Sequence, residues 1–191
     1  MENPNIYLVG GAGAGKTYLS KYLIKNHGYT HSKMANSVYM IAEKYFGMNP
    51  DKKDRQLLQS IGTDVGRMLI DRDIWINRLI DDVWIAQRTA EDFYNKELTM
   101  VLDDCRFENE HLALKEADWV GIYLDVSDEI RLQRLVGRDG DAQVNTLQHE
   151  SETALYSFKD ELIKVDVSGS LEKSYQNLEE TLEYIRKEVI K

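Results

Sequence analysis

The feature that most constrains this chain is a glycine-rich segment near its start, Gly10 to Thr17. An apolar run, Ile6 to Val9, precedes it, and residues with helical periodicity follow it. The segment satisfies the spacing Gly-x-x-x-x-Gly-Lys-Thr in full, which is the P-loop (Walker A) pattern. Glycines let backbone N–H groups turn around an anion, and the following helix points its positive end at the same place. The sequence therefore predicts a buried strand, a phosphate-binding loop and a helix.

The residues of this loop indicate a nucleoside triphosphate as the ligand. Lys16 supplies a cation for the β- and γ-phosphates, and the Thr17 hydroxyl is a ligand type for Mg²⁺. The alternative, a glycine-rich turn that binds nothing, is disfavoured because a strand precedes the motif and a helix follows it. ATPases and GTPases share the motif, so it does not by itself indicate a kinase. The predicted ATP contacts are Gly11, Ala12, Gly13, Ala14, Gly15, Lys16, Thr17 and Tyr18.

Strands alternate with helices along the rest of the chain. This alternation predicts an α/β fold with a parallel sheet that carries helices on both faces. The predicted strands are 6–9, 29–33, 99–102, 119–124 and 162–167. The predicted helices are 16–27, 35–46, 52–68 (interrupted near Gly62), 73–94, 108–116, 128–136, 149–158 and 171–189. A polar, glycine-containing stretch at 137–148 predicts a mobile loop.

Charge and composition exclude several classes of function. The 191 residues carry 33 acidic and 24 basic side chains, a net charge of −9, so a general affinity for nucleic acid is not expected. One cysteine rules out an internal disulfide, and no signal peptide or membrane span is visible, so we expect a soluble, cytoplasmic protein. The four histidines lack the spacing of a zinc site.

Two neighbouring carboxylates close the strand that ends at Leu102. Asp103 and Asp104 lie at the carboxyl end of that strand, the edge where open α/β sheets bind ligands. At least one of the two is expected to hold a metal-bound water beside the P-loop. Asp104 is the predicted residue, and Asp103 remains the alternative. Arg106 follows and is suited to a phosphate oxygen, whereas Cys105 is interpreted as a small filler residue.

Three arginines recur at helical spacing before the predicted loop. Arg131, Arg134 and Arg138 are three and then four residues apart, so they share one face of a helix. Cations on one stripe can close over transferring phosphates, neutralise developing charge and exclude water. The alternative is a solvated helix face paired with acids such as Asp128. Next to a P-loop, the pattern favours an arginine lid.

These motifs together resemble the nucleoside monophosphate kinases, and most closely the deoxynucleoside monophosphate kinases typical of tailed bacteriophages. The match is carried by 10–17, by 57–67 with 71–77, by 104–110, and by 131–138 continuing to 149–152. The resemblance implies a three-layer P-loop kinase fold with a five-stranded parallel sheet in one domain. It implies a core of 1–33, 98–136 and 159–191, a helical NMP-binding insertion at about 34–97, and a lid at about 137–158.

The same resemblance implies roles for individual residues. It places Lys16, Arg106, Arg131, Arg134 and Arg138 in catalysis, with ATP and Mg²⁺ bound, and Thr17 and Asp104 on the metal. Arg134 would bind ATP. Gly169, in the loop 167–170, would border the adenine. The acceptor would contact Lys33, Arg67, Trp75, Asn77, Arg106 and Asn109. Core packing and base stacking remain equally open for Trp75. The segment 33–37 departs from the family's Phe-Ala-Asp-type pattern, so the resemblance leaves its contacts to base and sugar open.

The function implied is transfer of the γ-phosphoryl group of ATP to a deoxynucleoside 5′-monophosphate, for DNA precursor synthesis. If the chain is phage-encoded, its location would be the cytoplasm of the host cell. Two alternatives stay open: a P-loop kinase for another phosphorylated acceptor, such as phosphomevalonate or dephospho-coenzyme A, and a nucleotide-dependent switch or ATPase without an acceptor. The preferred base and the oligomeric state are not fixed by the sequence, and the resemblance is compatible with a homodimer.

Overall fold

Five short strands form a parallel sheet in the order β2-β3-β1-β4-β5. The computed structural model describes residues 3–139 and 154–189. The strands are β1 Ile6–Val9, β2 Thr30–Ser32, β3 Met100–Leu102, β4 Val120–Asp125 and β5 Ile163–Asp166. β1 lies at the centre, with Ile6 paired to Val101 on one side and to Val120 on the other. The predicted α/β class and five-stranded parallel sheet are confirmed.

Both faces of β1 are covered, which explains its uninterrupted apolar sequence. Side chains alternate across a strand, so Ile6 and Leu8 point to one face and Tyr7 to the other. Ile6 and Leu8 lie in the core, while the Tyr7 hydroxyl is 2.8 Å from Nδ1 of His111. All four residues of β1 are buried. A strand buried on both faces reads as a continuous hydrophobic run rather than as an alternation.

The chain divides into two compact units, Met1–His31 with Thr99–Lys191, and Ser32–Leu98. The first unit contains four of the α-helices: α1 Lys16–His27, α5 Glu108–Glu116, α6 Asp128–Asp139 and α7 Leu171–Tyr184. Leucines of α1 and α7 join the central strands in one hydrophobic core: Leu19 and Leu23 from α1, and Leu178 and Leu182 from α7. α7 begins at Ser170, whose side chain accepts a hydrogen bond from Lys173 N, and continues as a π-helix, Ile185–Val189.

The second unit, Ser32–Leu98, is helical. Its elements are α2 Ala35–Phe46, α3 Arg55–Gln59, a π-helix at Ser60–Ile70 and α4 Ile74–Tyr94. The sequence predicts an interruption near Gly62, and in the structure that region is a π-helix. π-Helices are rare in proteins, and those that occur are often found at functional sites. Val38, Ala42, Met48, Ile61 and Trp75 form its hydrophobic core.

The region around the predicted lid differs from expectation at its start. The mobile loop is predicted from 137, but α6 continues to Asp139, so 137–139 are helical. Residues 140–153 lie outside the described residues. Of the helix predicted at 149–158, the described part contains a 3₁₀-helix at Ala154–Ser157. A second 3₁₀-helix at Lys159–Glu161 leads into β5.

No helix within the described residues combines the length and the apolar character that crossing a membrane requires.

Candidate phosphate-binding site

The loop between β1 and α1 has the backbone that a phosphate cradle needs. Gly13 and Gly15 adopt φ values of 80° and 103°, a region that strains an L side chain. The loop is closed by a hydrogen bond from Ala14 N to Gly11 O at 3.1 Å. In the described part of the chain no side chain caps the first turn of α1. The amino end of α1, with its partial positive charge, is therefore available to an anion.

The ammonium group of Lys16 lies at this loop. Its Nζ donates to the carbonyl oxygen of Gly10, and to that of Gly11 at 3.2 Å. The ammonium group thus lies over the loop that sequence analysis assigned to phosphates. A flexible four-carbon stem lets such a lysine exchange carbonyl partners for phosphate oxygens. Tyr18, in the first turn of α1, is 60% exposed.

A buried carboxylate, Asp103, joins three elements beside the loop. Its Oδ2 accepts from Thr17 Oγ1 at 3.5 Å and from Ser20 Oγ at 3.3 Å, both on α1. Its Oδ1 lies 2.9 Å from Nε2 of His31, on β2. Asp103 itself is 7% exposed. Because α1, β2 and β3 converge here, the side chain at 103 is held at the carboxyl edge of the sheet.

This arrangement bears on the choice between the two aspartates. Asp104 is the residue predicted for the metal side, but the carboxylate that contacts Thr17 is that of Asp103. Asp104 is half-buried. Ser20 and His31, which also contact Asp103, are not among the predicted site residues. The signal that could have found His31 is its place at the end of a strand beside the one that Asp103 follows.

The donor set around Asp103 suits Mg²⁺. Two hydroxyls and a carboxylate are hard oxygen donors, and Mg²⁺ in phosphate sites takes one or two carboxylates besides phosphates and water. Within residues 3–139 and 154–189, no group of three or more His, Cys, Asp or Glu side chains could hold a metal ion by itself.

Arg131 is a buried side chain of α6 that contacts the glycine loop. Its Nε donates to Ala12 O at 2.9 Å, its Nη1 lies 2.7 Å from Asp128 Oδ1, and the residue is only 6% exposed. A Cβ at Gly11 would overlap this guanidinium, and one at Gly13 would lie 2.6 Å from the Arg131 carbonyl oxygen. Gly13 is thus required by packing against the backbone of α6 as well as by the loop conformation, whereas a side chain at position 11 would require the Arg131 guanidinium to shift.

Arg134 and Arg138 have different surroundings from Arg131, although all three lie on α6. Arg134 Nη2 donates to Val167 O at 2.6 Å and to Gly169 O at 3.4 Å. α6 thereby holds both the glycine loop and the loop after β5. The side chain of Arg138 lies outside the described residues. The predicted lid role of these arginines stays a prediction.

The segment after Asp104 is fixed by a carboxylate that sequence analysis did not single out. Oε2 of Glu110, 2% exposed, accepts from the backbone N–H groups of Arg106 at 2.7 Å and Phe107 at 3.1 Å. The Arg106 side chain is exposed, and Asn109 is half-buried on α5. Burial raises the pKa of the Cys105 thiol well above its ordinary value, in keeping with a filler role.

In the second unit, Trp75 belongs to the core. It is 7% exposed, and its Nε1 donates to Gly62 O at 2.7 Å. Of the two roles left open, burial favours core packing over base stacking. A Cβ at Gly66 would lie 2.6 Å from the indole ring, so Trp75 packs directly beneath the π-helix that carries Arg67.

The other acceptor-side candidates of the second unit lie at or near its surface. Arg67 is half-buried, and Asn77 on α4 and Lys33 before α2 are exposed. The structure thus keeps them accessible to solvent, and their predicted contacts with an acceptor stay predictions.

Comparison with known proteins agrees with this geometry. Residues 6–154 match the family described as an AAA domain. A protein of Acanthamoeba polyphaga mimivirus, provisionally named a deoxynucleotide monophosphate kinase, is 26% identical; the alignment covers 91% of this chain and 93% of that protein.

Solved kinase structures share the fold at low sequence identity. An unliganded sugar kinase from Janibacter superposes with a TM-score of 0.58 at 14% identity, covering 97% of this chain and 95% of the other. Shikimate kinase from Acinetobacter baumannii, solved with shikimate, gives 0.53 at 18% identity, covering 99% and 96%. The matched family region contains the glycine loop, its lysine and strands β1 to β4. The chain belongs to the AAA domain family and has the fold of the P-loop kinases.

Proposed function

We propose that this protein transfers the γ-phosphoryl group of ATP to the 5′-phosphate of a deoxynucleoside monophosphate. The observation that carries the proposal is the contact of Thr17 with Asp103 beside the glycine loop and Lys16. Phosphoryl transfer needs little covalent chemistry from a protein; alignment and charge neutralisation suffice. Residues for both tasks converge at this loop.

On the donor side, the glycine loop and the amino end of α1 bind the β- and γ-phosphates of ATP. Lys16 leaves the carbonyl oxygens of Gly10 and Gly11 and pairs with phosphate oxygens. Thr17 and Asp103 would hold Mg²⁺, which would neutralise charge on the phosphates. Asp103 takes the role that sequence analysis gave to Asp104, because its carboxylate lies 3.5 Å from the Thr17 hydroxyl.

The arginines of α6 divide into two kinds of role. Arg131 keeps the loop in its binding conformation through Ala12 O, and Arg134 fixes the loop after β5 that would border the adenine. Arg138, at the last turn of α6, remains the candidate lid cation. Because the buried Arg131 already holds the loop in place, the loop backbone needs less reorganisation when phosphates bind.

On the acceptor side, the proposal depends on Arg67 and Arg106 as phosphate-binding cations. A guanidinium fork suits a phosphate dianion, and an anionic acceptor needs no strong general base. Lys33, Asn77 and Asn109 complete the proposed acceptor contacts. Support for a deoxynucleotide acceptor comes from the sequence resemblance and from the name of the mimivirus relative. The assignment of 34–97 to the NMP-binding insertion and of 137–158 to the lid belongs to the same proposal.

The test is ADP release from ATP with each deoxynucleoside and ribonucleoside monophosphate as acceptor, one at a time. Shikimate, gluconate and dephospho-coenzyme A serve as acceptors of other classes. We expect ADP formation to depend on one or more deoxynucleoside monophosphates, with the diphosphate as co-product. Lys16→Met should abolish transfer with an unchanged circular dichroism spectrum. Transfer only to a hydroxyl acceptor, or ATP hydrolysis independent of every acceptor, would overturn the proposal.

A second variant separates the lid from the acceptor site. Arg138→Ala should lower kcat more than it raises the KM of the acceptor, because a lid cation acts chiefly on charge developing in the transition state. A pure rise in acceptor KM would move Arg138 into the acceptor site. Arg106→Ala is the matched comparison and should raise acceptor KM.

A further inference from the structure

We infer that His31 is a positioning residue that orients the Asp103 carboxylate toward the metal and phosphates; the inference rests on the proposed function. Neither the P-loop pattern nor the arginines point to this histidine. Its role follows from how the three contacts of Asp103 differ in strength.

The two contacts on Oδ2 of Asp103 are long. Hydroxyl hydrogen bonds usually span about 2.5–3.0 Å, whereas Thr17 and Ser20 lie at 3.5 and 3.3 Å. Bonds of this length hold a carboxylate weakly. They leave room for a metal or its water to approach the same oxygen, which accepts more than one hydrogen bond.

The contact on Oδ1 is the strong one. Nε2 of His31 lies 2.9 Å from it, the usual N–H···O distance, and it is the only partner of Oδ1 among the described residues. Without His31, the carboxylate would be restrained only by the two long hydroxyl contacts. The imidazole therefore determines which way Oδ2 faces.

The backbone places His31 rigidly enough for this role. It lies in β2, where the N–H of the preceding residue, Thr30, donates to Thr99 O at 2.7 Å, just before β3. Asp103 directly follows β3. A histidine on one strand and an aspartate after its neighbour are thus tied through the sheet. The His31 side chain is 31% exposed, so replacing it removes little core packing.

A metal-dependent binding experiment tests this role. Isothermal titration calorimetry measures the affinity of ADP with and without Mg²⁺ for wild type, His31→Ala and His31→Gln. Loss of groups that orient metal ligands typically weakens metal affinity by about 10–100-fold. We expect the gain in ADP affinity on adding Mg²⁺ to shrink about 10-fold in His31→Ala, while metal-free ADP binding stays unchanged. His31→Gln, whose amide N–H can still donate to Asp103, should recover most of the gain.

His27→Ala is the matched control. His27 also pairs with a carboxylate, Glu179, at 2.6 Å, but that pair does not involve Asp103. The increase in ADP affinity on adding Mg²⁺ should be the same in His27→Ala as in wild type. The Mg²⁺ concentration for half-maximal ADP formation, measured with an active acceptor, should rise about 10-fold in His31→Ala alone.

Each outcome decides the inference. An unchanged Mg²⁺ gain in His31→Ala, or an equal loss of ADP affinity with and without Mg²⁺, would overturn it. The calorimetry needs no acceptor, so the two proposals can fail separately. If no deoxynucleoside monophosphate is phosphorylated but His31→Ala still weakens the Mg²⁺-dependent binding of ADP, the proposed acceptor is rejected and the positioning role of His31 stands. Absence of ADP binding by wild type would overturn both.

Discussion

Adding a methyl group at position 13 tests how closely α6 packs on the glycine loop. Gly13 has φ 80°, where an L side chain costs about 1–2 kcal/mol. An alanine Cβ there would also lie 2.6 Å from the Arg131 carbonyl oxygen and 3.1 Å from Leu135 Cγ. The first contact involves helix backbone, which cannot rotate away as a side chain can. Overpacking of this kind typically costs about 1–3 kcal/mol more.

Gly28 provides the control for the backbone term. It caps α1 at φ 73°, close to the value at Gly13, but no described atom lies within 4 Å of the position its Cβ would take. Gly28→Ala should therefore cost only the conformational term, about 1 kcal/mol. Gly13→Ala should cost about 3 kcal/mol, and the difference of about 2 kcal/mol measures the contact with α6.

Thermal unfolding followed by circular dichroism gives the comparison. For a chain of this size, 1 kcal/mol corresponds to about 2–4 °C in Tm. We expect Gly28→Ala to lower Tm by about 2–4 °C and Gly13→Ala by about 6–12 °C. Equal Tm values for the two variants would refute the reasoning, because the loop would then have room for a side chain beside Arg131.

Three further predictions follow from buried groups. Trp75→Phe should lower the free energy of unfolding by about 1–2 kcal/mol, because the indole hydrogen bond is lost. Trp84→Phe, at a 61% exposed position, should change the free energy of unfolding by less than about 0.5 kcal/mol. Urea titrations measure both values. Burial lowers the pKa of His111 below its ordinary 6.5, so its contribution to stability is complete above about pH 6.5 and is lost as pH falls. His111→Gln should therefore lose less stability than wild type between about pH 7 and 5 in urea titrations, and an equal loss would contradict the assignment. A thiol reagent should label Cys105, which is fully buried, only in denatured protein; fast labelling of native protein would show that the site opens.

Several helices followed from the sequence through short-range rules. The helix at 16–27 and its stop at Gly28 were predicted from apolar spacing and one glycine, and the structure confirms both bounds. The helix at 35–46 also agrees at both ends. At 137–139 the prediction was wrong, because a polar stretch with glycine reads as loop although α6 continues through it.

The candidate site could be predicted only in part, because its contacts join residues far apart in the chain. Lys16 and Thr17 were identified from the spacing of the motif, which is itself local. The choice between Asp103 and Asp104 depends on which side chain meets α1, 83 residues away for Ser20, and no local pattern encodes that. His31 escaped notice because its partner is 72 residues distant.

The sequence alone determined a phosphate-binding loop between a buried strand and a helix, and a parallel α/β sheet behind it. Both follow from interactions within a few residues: the backbone freedom of glycine and the periodicity of apolar side chains. The tertiary structure decided that Arg131 braces the loop, that Trp75 is core and that Asp103 meets Thr17. These outcomes depend on packing between elements, where a shift of one residue or of 1 Å changes which side chains touch.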